Sequence, residues 1–316
     1  MKISPHIAGL AAASELPARP LHLAIGMFDG VHLGHRAVVE AAVISARRAG
    51  GLAAALTFDP HPSRLLRPDK AVPLLLPARE KARRLVATGL DTVITQPFTA
   101  EFAAVPADQF VPTLLNALPQ LKAIYVGENW RFGRGRSGDV PQLNAAAKAH
   151  GLRVYSAPRV NLDGEPISST RIRAALGAGD MDTVNALLGY TYGCEGTVTP
   201  GKRLGRSLGF PTLNLPWAPE CAPRLGVYAV RAGSATNPGK MWNGVANFGL
   251  RPTVADPATA QPLLEVHLFE TPPFDVGDEL QVEWCAFLRA EQRFTGVDAL
   301  REQIGRDRDS AREYFA

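Results

Sequence analysis

The sequence predicts a chain in two parts. An α/β half built on a parallel sheet comes first, and a small antiparallel β-barrel-like half that ends in a helix follows. Three observations carry this. The 316 residues exceed what one hydrophobic core usually serves, since single cores stop growing near about 250–300 residues. Short apolar segments alternate with helix-period segments over the first part of the chain, the pattern of strands joined by crossover helices covering both faces of a sheet. After residue 188 come short segments rich in glycine and proline, several with alternating faces, the pattern of antiparallel strands. The parts are therefore 1–188 and 189–316.

In order, Leu21–Ile25 reads as a buried strand and Gly26 to Gly34 as a glycine-punctuated turn. A helix follows from Arg36 to Ala49, with Val38, Val39, Ala42 and Val43 on one apolar face and Gly50–Gly51 as its stop. Leu52–Phe58 is the next strand, after which Pro60 and Pro62 force a loop. The alternation continues with a helix at Ala78–Thr88, a strand at Thr92–Thr95, a helix from Ala107 and a strand at Ala123–Val126. Another helix ends near His150, and a strand covers Leu152–Tyr155. The second part reads as strands at Gly193–Val198, Gly226–Val230, Trp242–Ala246, Leu263–Phe269 and Leu280–Ala286, with a charged amphipathic helix at Val297–Phe315.

Composition narrows the classes. Hydrophobic content of 46% and charged content of 20% are globular values, not those of a disordered chain. A net charge of +4 suits anionic ligands and equally suits an ordinary solvated surface. No dense Lys/Arg block suggests a nucleic-acid groove. The three cysteines, Cys194, Cys221 and Cys285, are scattered and odd in number, which predicts reduced thiols in a cytoplasmic protein. No apolar run approaches the ~18 residues of a membrane helix. Residues 7–13 faintly resemble the core of a secretory signal, but only Lys2 precedes them as a charge, and secretion is not expected.

The chemistry concentrates in two constellations. The first is Gly26-Met27-Phe28-Asp29-Gly30-Val31-His32-Leu33-Gly34-His35, between the first strand and the first helix, where open α/β sheets bind ligands. Its glycines let the backbone approach a phosphate, and the helix N-terminus offers free N–H groups. His32 and His35 can donate to phosphate oxygens as charge develops, or else be two structural histidines of a turn. Ile167-Ser168-Ser169-Thr170-Arg171-Ile172-Arg173 opens another helix. It reads either as a second phosphate clamp of hydroxyls, N–H groups and guanidiniums or as a plainly capped surface helix.

The second constellation lies in the barrel half. Gly201-Lys202-Arg203-Leu204-Gly205-Arg206 is a basic glycine loop without the P-loop pattern or a following helix. It suits phosphates, or is a solvated basic hairpin. Thr212 and Asn214 lie two apart, so on a strand they share a face. Two neutral oxygens there suit a Mg²⁺ that takes its other ligands from ATP and water. Glu265, in Leu264-Glu265-Val266-His267-Leu268, shares a strand face with His267. It is placed to accept a proton from a hydroxyl, or is an outward-facing residue of an alternating strand.

HxGH paired with a late SSTxxR resembles the signature of the HIGH-type nucleotidyltransferases. The longer strings GMFDGVHLGH, Phe58-Asp59-Pro60-His61-Pro62, Val126-Gly127-Glu128-Asn129-Trp130-Arg131-Phe132-Gly133 and ISSTRIR resemble the adenylyltransferase domain of the bacterial bifunctional riboflavin kinase/FAD synthetase family. GKRLGRSLGFPTLN, Gly226-Val227-Tyr228-Ala229-Val230, Asn247-Phe248-Gly249-Leu250-Arg251-Pro252-Thr253 and LEVHL resemble its kinase domain. The resemblance covers nearly the whole chain in the family's order. It implies a Rossmann-like, HIGH-type α/β nucleotidyltransferase sheet followed by a small antiparallel Greek-key β-barrel with a C-terminal helix. It implies phosphorylation of riboflavin to FMN, then adenylylation of FMN to FAD, with ATP as co-substrate and Mg²⁺ as cofactor.

By the same resemblance, His32, His35 and Arg171 act on the triphosphate in the first half. Gly26, Phe28, Asp29, Gly34, Ser168, Ser169 and Thr170 bind the nucleotide beside them. Asn129, Phe58 and Asp59 lie toward the flavin. Trp130 and Phe132 either face a ligand or pack the core. In the second half Glu265 is the base, Thr212 and Asn214 hold the metal, and Gly201, Lys202 and Arg206 bind nucleotide. Phe287-Leu288-Arg289 and the helix after it form the flavin side. Riboflavin, FMN and ATP are the expected partners, with no nucleic acid or membrane, and transient contact with flavin-requiring apoproteins stays open.

The sequence departs from the family pattern at Met27, at Leu76-Pro77, at Leu213 and at Val276, where a tyrosine is usual. Val276 bears on flavin affinity. Two alternatives are an enzyme with only the adenylyltransferase half active and a non-catalytic flavin- or nucleotide-binding regulator. The first would show losses among Thr212, Asn214 and Glu265, the second erosion of HxGH and SSTxxR. All these residues are present.

Overall fold

The computed structural model describes residues 3–201, 204–237, 239–251 and 261–316. The chain divides into two compact units, Met1–Ser169 and Thr170–Ala316.

The first unit opens with β1 (His6–Ala8), α1 (Gly9–Ala12), β2 (Leu21–Ile25), α2 (Leu33–Arg48) and β3 (Leu52–Asp59). It continues with α3 (Pro62–Leu66), α4 (Ala78–Ala87), β4 (Thr92–Pro97), α5 (Ala100–Ala103), α6 (Ala107–Ala117) and β5 (Leu121–Gly127). It closes with α7 (Val140–Ala149), β6 (Arg153–Ala157) and the two-stranded ribbon β7 (Asn161–Leu162) and β8 (Glu165–Pro166). Strands β1 to β6 form one parallel sheet in the order β1-β4-β3-β2-β5-β6. Both faces are covered, and the alternation of side-chain size decides how. Leu21, Leu23, Ile25, Leu52 and Leu56 point to the side of α6 and α7. The small Ala24, Ala53 and Ala55 face α2 and α4, where they let Val38, Val39 and Ala42 pack close to the sheet.

The order reverses at β2. Strands β3 and β4 lie to one side of it, β5 and β6 to the other, so a crevice opens beyond the carboxyl ends of β2 and β5. Helix α2 starts at Leu33, three residues before the expected Arg36, because His32 serves as its N-cap. Residues 7–13, the faintly signal-like stretch, run from the edge strand β1 through α1 into a 3-10 turn, with Leu10 and Ala13 buried.

The second unit holds α8 (Ser169–Ala178), whose first residue closes the first unit, and α9 (Met181–Leu188). After them come β9 (Gly193–Thr197), α10 (Leu204–Ser207), β10 (Leu213–Pro216), β11 (Gly226–Ser234) and β12 (Trp242–Arg251). The unit ends with β13 (Gln261–Leu268), β14 (Glu279–Ala290) and α11 (Val297–Tyr314). The sequence pattern changes at residue 188, whereas the division by packing falls at Ser169. Helix α9 packs on the barrel: the Asn185 amide donates to the Trp284 carbonyl at 3.1 Å and accepts from the Tyr192 N–H at 2.7 Å.

The six barrel strands are antiparallel in the order β10-β13-β12-β11-β14-β9. A bridge between Thr199 and Asn214 brings the two ends together, so the barrel is nearly closed. The meander β11-β12-β13 with β14 back beside β11 is a Greek key. Trp284 fills the interior, edge-on to Tyr228 at 4.6 Å and to Phe248 at 5.4 Å. Helix α11 covers part of the outside, where Ala311 meets Val227, Ala229 and Val245.

Candidate active sites

In the first unit the segment after β2 is held in an uncommon backbone shape. Phe28, Gly30 and Val31 have φ of 51°, 85° and 42°. For β-branched Val31 this is a strained conformation. Burial offsets the strain: Phe28 and Val31 are almost fully enclosed, each contributing on the order of 1.5–3 kcal/mol. The shape is also tied down at three points. The Met27 carbonyl accepts from the Thr57 hydroxyl at 3.0 Å and from the Lys81 ammonium at 3.3 Å. The Asp29 carboxylate accepts the Leu75 N–H at 3.0 Å. The Asp29 carbonyl accepts the Ser169 hydroxyl at 2.9 Å.

This loop delivers the two histidines. His32 caps α2, its Nδ1 accepting the His35 N–H at 3.2 Å, and the two rings stack with centroids 3.6 Å apart. The ring of Phe28 meets His35 edge-on at 5.5 Å. A side chain at Gly34 would press on the His32 ring, and one at Gly26 on the Phe28 ring. Burial pushes His35 well below the ordinary imidazole range, with the neighbouring His32 and Lys81 adding to it. His35 is thus a neutral ring that donates from one nitrogen. Its Nδ1 is buried with no partner among the described residues.

A cavity of about 540 Å³ lies beside this loop, within the range of organic-ligand sites. Its walls include Met27, Phe58, Phe98, Phe102, Asn129 and the stacked pair Trp130 and Phe132, 4.8 Å apart. Phe132 also packs against Phe110 in the core, so the aromatic pair serves both purposes. Arg67, Lys70, Arg131 and Arg136 line the same cavity, giving an apolar slot with cationic edges. Asp59 ends β3 exposed at this side of the sheet. Ser168 and Ser169 close the unit. Thr170, exposed, and Arg171, half-buried, stand in the first turn of α8.

The second unit builds its site on strand faces. Register places Asn214 of β10 opposite Glu265 of β13, and Glu265 opposite Asn247 of β12. The row continues through Val227 to Arg289 of β14. Opposed residues project to one face, here the outer one, since their neighbours Leu264 and Phe248 fill the interior. A cavity of about 250 Å³ lies over this row, lined by Thr212, Asn247, Glu265, His267, Arg289 and residues of α11. The Asn214 Oδ1 is buried with no hydrogen-bond partner among the described residues. A side chain at Gly201 would collide with that amide, so the loop backbone passes directly over Asn214.

His267 binds the Pro211 carbonyl through Nδ1 at 2.9 Å, which fixes the entry to β10 just before Thr212. Burial lowers its pKa, the Pro211 carbonyl opposes this, and Arg308 and Arg312 add to the lowering. Arg289, expected at the flavin, lines the cavity while its guanidinium grips Asp307 of α11 at 2.7 and 2.6 Å. It therefore anchors the helix that closes the cavity. Lys202 and the neighbouring Arg203 lie outside the described residues, as do the Arg206 side chain and the Pro252-Thr253 segment.

Three residues at these sites escaped the sequence reading. Lys81 is buried on the apolar face of α4 beside Ala82 and Leu85, and a lysine in phase with the core stripe was the available signal. Asn247 was read within a motif without a role, and only strand register brings it to Glu265. His267 was noted for its shared face but not for its hold on Pro211.

Fold and sites together define an enzyme of phosphate chemistry: a nucleotidyltransferase-type parallel sheet with paired histidines at its switch point, joined to a kinase-type Greek-key barrel. Comparison with known proteins gives the particular family. The FAD synthetase family matches residues 15–171 and the riboflavin kinase family residues 188–315. A bifunctional riboflavin kinase/FMN adenylyltransferase from Escherichia coli K12 is 38% identical over 98% of this chain and 97% of its own length. One from Bacillus subtilis is 34% identical over 93% of this chain and 92% of its own. This chain belongs to the bifunctional riboflavin kinase/FMN adenylyltransferase family. A solved structure described as a macrolide-efflux protein from Streptococcus pneumoniae is 26% identical, with a TM-score of 0.85 over 98% of this chain and 99% of that one. Among the described residues here, no helix is long and apolar enough to cross a membrane.

Proposed function

We propose that this chain carries out both reactions of its family and divides them between its two sites. In the barrel half the terminal ribityl hydroxyl of riboflavin attacks the γ-phosphorus of ATP, giving FMN and ADP. In the α/β half a phosphate oxygen of FMN attacks the α-phosphorus of a second ATP, giving FAD and pyrophosphate. The observation that carries the reading is that each unit holds its own cavity, lined or bordered by that unit's phosphate-handling residues.

In the kinase half Glu265 takes the hydroxyl proton. Thr212 and Asn214 would hold Mg²⁺, for which the Asn214 oxygen, without a hydrogen-bond partner among the described residues, is a fitting hard ligand. ATP and water would supply the ion's other ligands. The ion, when bound, neutralises charge on the phosphates. Gly201 lets the loop lie over this point, with Lys202 and Arg206 supplying positive charge. Arg289 holds α11 over the flavin.

In the adenylyltransferase half His32 and His35, with Arg171, act on the triphosphate as charge develops. Gly26, Phe28, Asp29 and Gly34 shape the loop that receives it, and Ser168, Ser169 and Thr170 take the other side. Asn129, Phe58 and Asp59 border the flavin slot. The domain limits are taken as 1–188 and 189–316. A cytoplasmic location is supported by the three cysteines, which are buried and form no disulfide. No binding of nucleic acid or membrane is proposed, and contact with flavin-requiring apoproteins would be transient.

The test is a product assay. Protein is incubated with riboflavin, ATP and Mg²⁺, and the flavins are separated by chromatography. FMN followed by FAD is expected. FAD formed only when FMN is supplied would overturn the kinase half of the reading, and FMN alone the other half.

A further inference from the structure

The loop that presents His32 and His35 does not stand on its own hydrogen bonds alone. Its Met27 carbonyl is held by two groups from outside, the Thr57 hydroxyl at 3.0 Å and the Lys81 ammonium at 3.3 Å. The same ammonium donates at 3.3 Å to the carbonyl of Phe58, whose ring is part of the flavin-slot wall. One buried cation thus joins the carboxyl ends of two neighbouring strands, one leading to the histidines and the other to the slot.

We propose that Lys81 is a positioning residue of the adenylyl-transfer site, clamping the histidine loop to the wall of the flavin slot so that the two reacting phosphates meet in line. The proposal rests on the adenylyltransferase reading given above. A buried ammonium is costly unless it is paired, and a cation that only filled space on α4 would serve better as leucine or methionine. Lys81 is only 6% exposed. Burial lowers its pKa, while Asp29 on the loop and Asp59 at the end of β3 favour the charged form. A carboxylate on each of the two segments that it joins thus favours its charge. Together with His32 it also adds to the lowering of the His35 pKa, whose largest cause is burial.

The clamp acts on the distance between two binding surfaces more than on either surface alone. Its loss should therefore lower kcat with little change in KM, since a misplacement near 1 Å costs about 100-fold. The experiment uses the full chain with Lys81→Met, which keeps length and removes charge and donors, and Lys81→Gln, which keeps two N–H donors without charge. Initial rates of FAD formation from FMN and ATP are measured beside FMN formation from riboflavin. Thermal melting reports the fold, and the imidazole NMR signals of His35 are titrated.

For Lys81→Met the expected result is a fall in adenylylation kcat of about 100-fold, with KM for FMN and ATP and the riboflavin kinase rate little changed. The His35 titration moves to higher pH. Lys81→Gln is expected to fall between Lys81→Met and the parent. A folded Lys81→Met protein with the parent's kcat overturns the proposal, and so does a loss carried by KM alone. Should Lys81→Met not fold, the decision passes to Lys81→Gln, in which an unchanged kcat and an unchanged His35 titration overturn it. A parent protein that makes no FAD from FMN refutes the adenylyltransferase reading itself. That failure is distinct, because it is seen before any substitution is made.

Discussion

The two units solve one problem, holding an ATP phosphate against a flavin, with opposite parts of the polypeptide. The first puts its reactive groups beyond the ends of parallel strands, on a loop with left-handed residues at Phe28, Gly30 and Val31 and at the N-terminus of α2. On the proposed reading, backbone N–H groups and a helix end supply much of the attraction there. The second puts them in mid-strand on the outer face of an antiparallel barrel, where Asn214, Glu265 and Asn247 line up across three strands. On the same reading, its attraction would come from side chains and from the ion they would hold. The first site is therefore exposed to anything that lets a loop relax, and depends on buried plugs and on Lys81. The second is exposed to anything that shifts strand register, and depends on ties such as that from His267 to Pro211.

The comparison can be broken at each half separately. The largest effect is expected from Glu265→Gln, which removes the proton acceptor and should slow FMN formation by about 10³-fold, within the range for general bases. FAD formation from supplied FMN should persist. His32→Ala should slow adenylylation by about 10²–10³-fold, the cost of a lost charge-stabilising donor, with the kinase rate retained. A kinase rate that fell with it in folded protein would contradict the division.

His267→Leu removes one hydrogen bond to the Pro211 carbonyl, worth about 1 kcal/mol, so a loss of about fivefold in riboflavin kinase kcat is expected. His267→Asn can reach the same carbonyl and should recover part of it. An equal loss in both variants would show that the contact is not the cause.

The smallest effect concerns stability. His35 binds its proton less readily folded than unfolded. Above pH about 6.5 the ring is neutral in both states and its contribution is complete. As pH falls below that value the unfolded chain takes the proton first, so stability declines until the folded ring also titrates. Melting temperature should therefore drop less steeply with acid in His35→Asn than in the parent. Parallel curves for the two proteins would rule this out.

Much of the framework around both candidate sites was legible because local chemistry leaves local marks. A strand, a glycine turn and a capped helix announce the histidine loop. The parallel sheet and the antiparallel barrel follow from alternation and turn residues. The missing parts are those that depend on distant neighbours. Strand β1 is three residues long and pairs with β4, which lies far along the chain, so no window of sequence holds its signal. Lys81 escaped because a lysine in an amphipathic helix is ordinarily assigned to water, and only the meeting of two strand ends explains its burial. Asn247 could not be joined to Glu265 without register, which alternation alone does not fix. The grip of Arg289 on Asp307 was not legible because it depends on how α11 folds back over β14.

Two chains, each disabled at one site, test the central claim most directly. His32→Ala and Glu265→Gln proteins are given riboflavin, ATP and Mg²⁺ separately and then mixed, and the flavins are followed by chromatography. Two independent sites predict that His32→Ala stops at FMN, that Glu265→Gln leaves riboflavin almost untouched, and that the mixture makes FAD. A folded single variant that fails at both steps, or a mixture that makes no FAD, would contradict it.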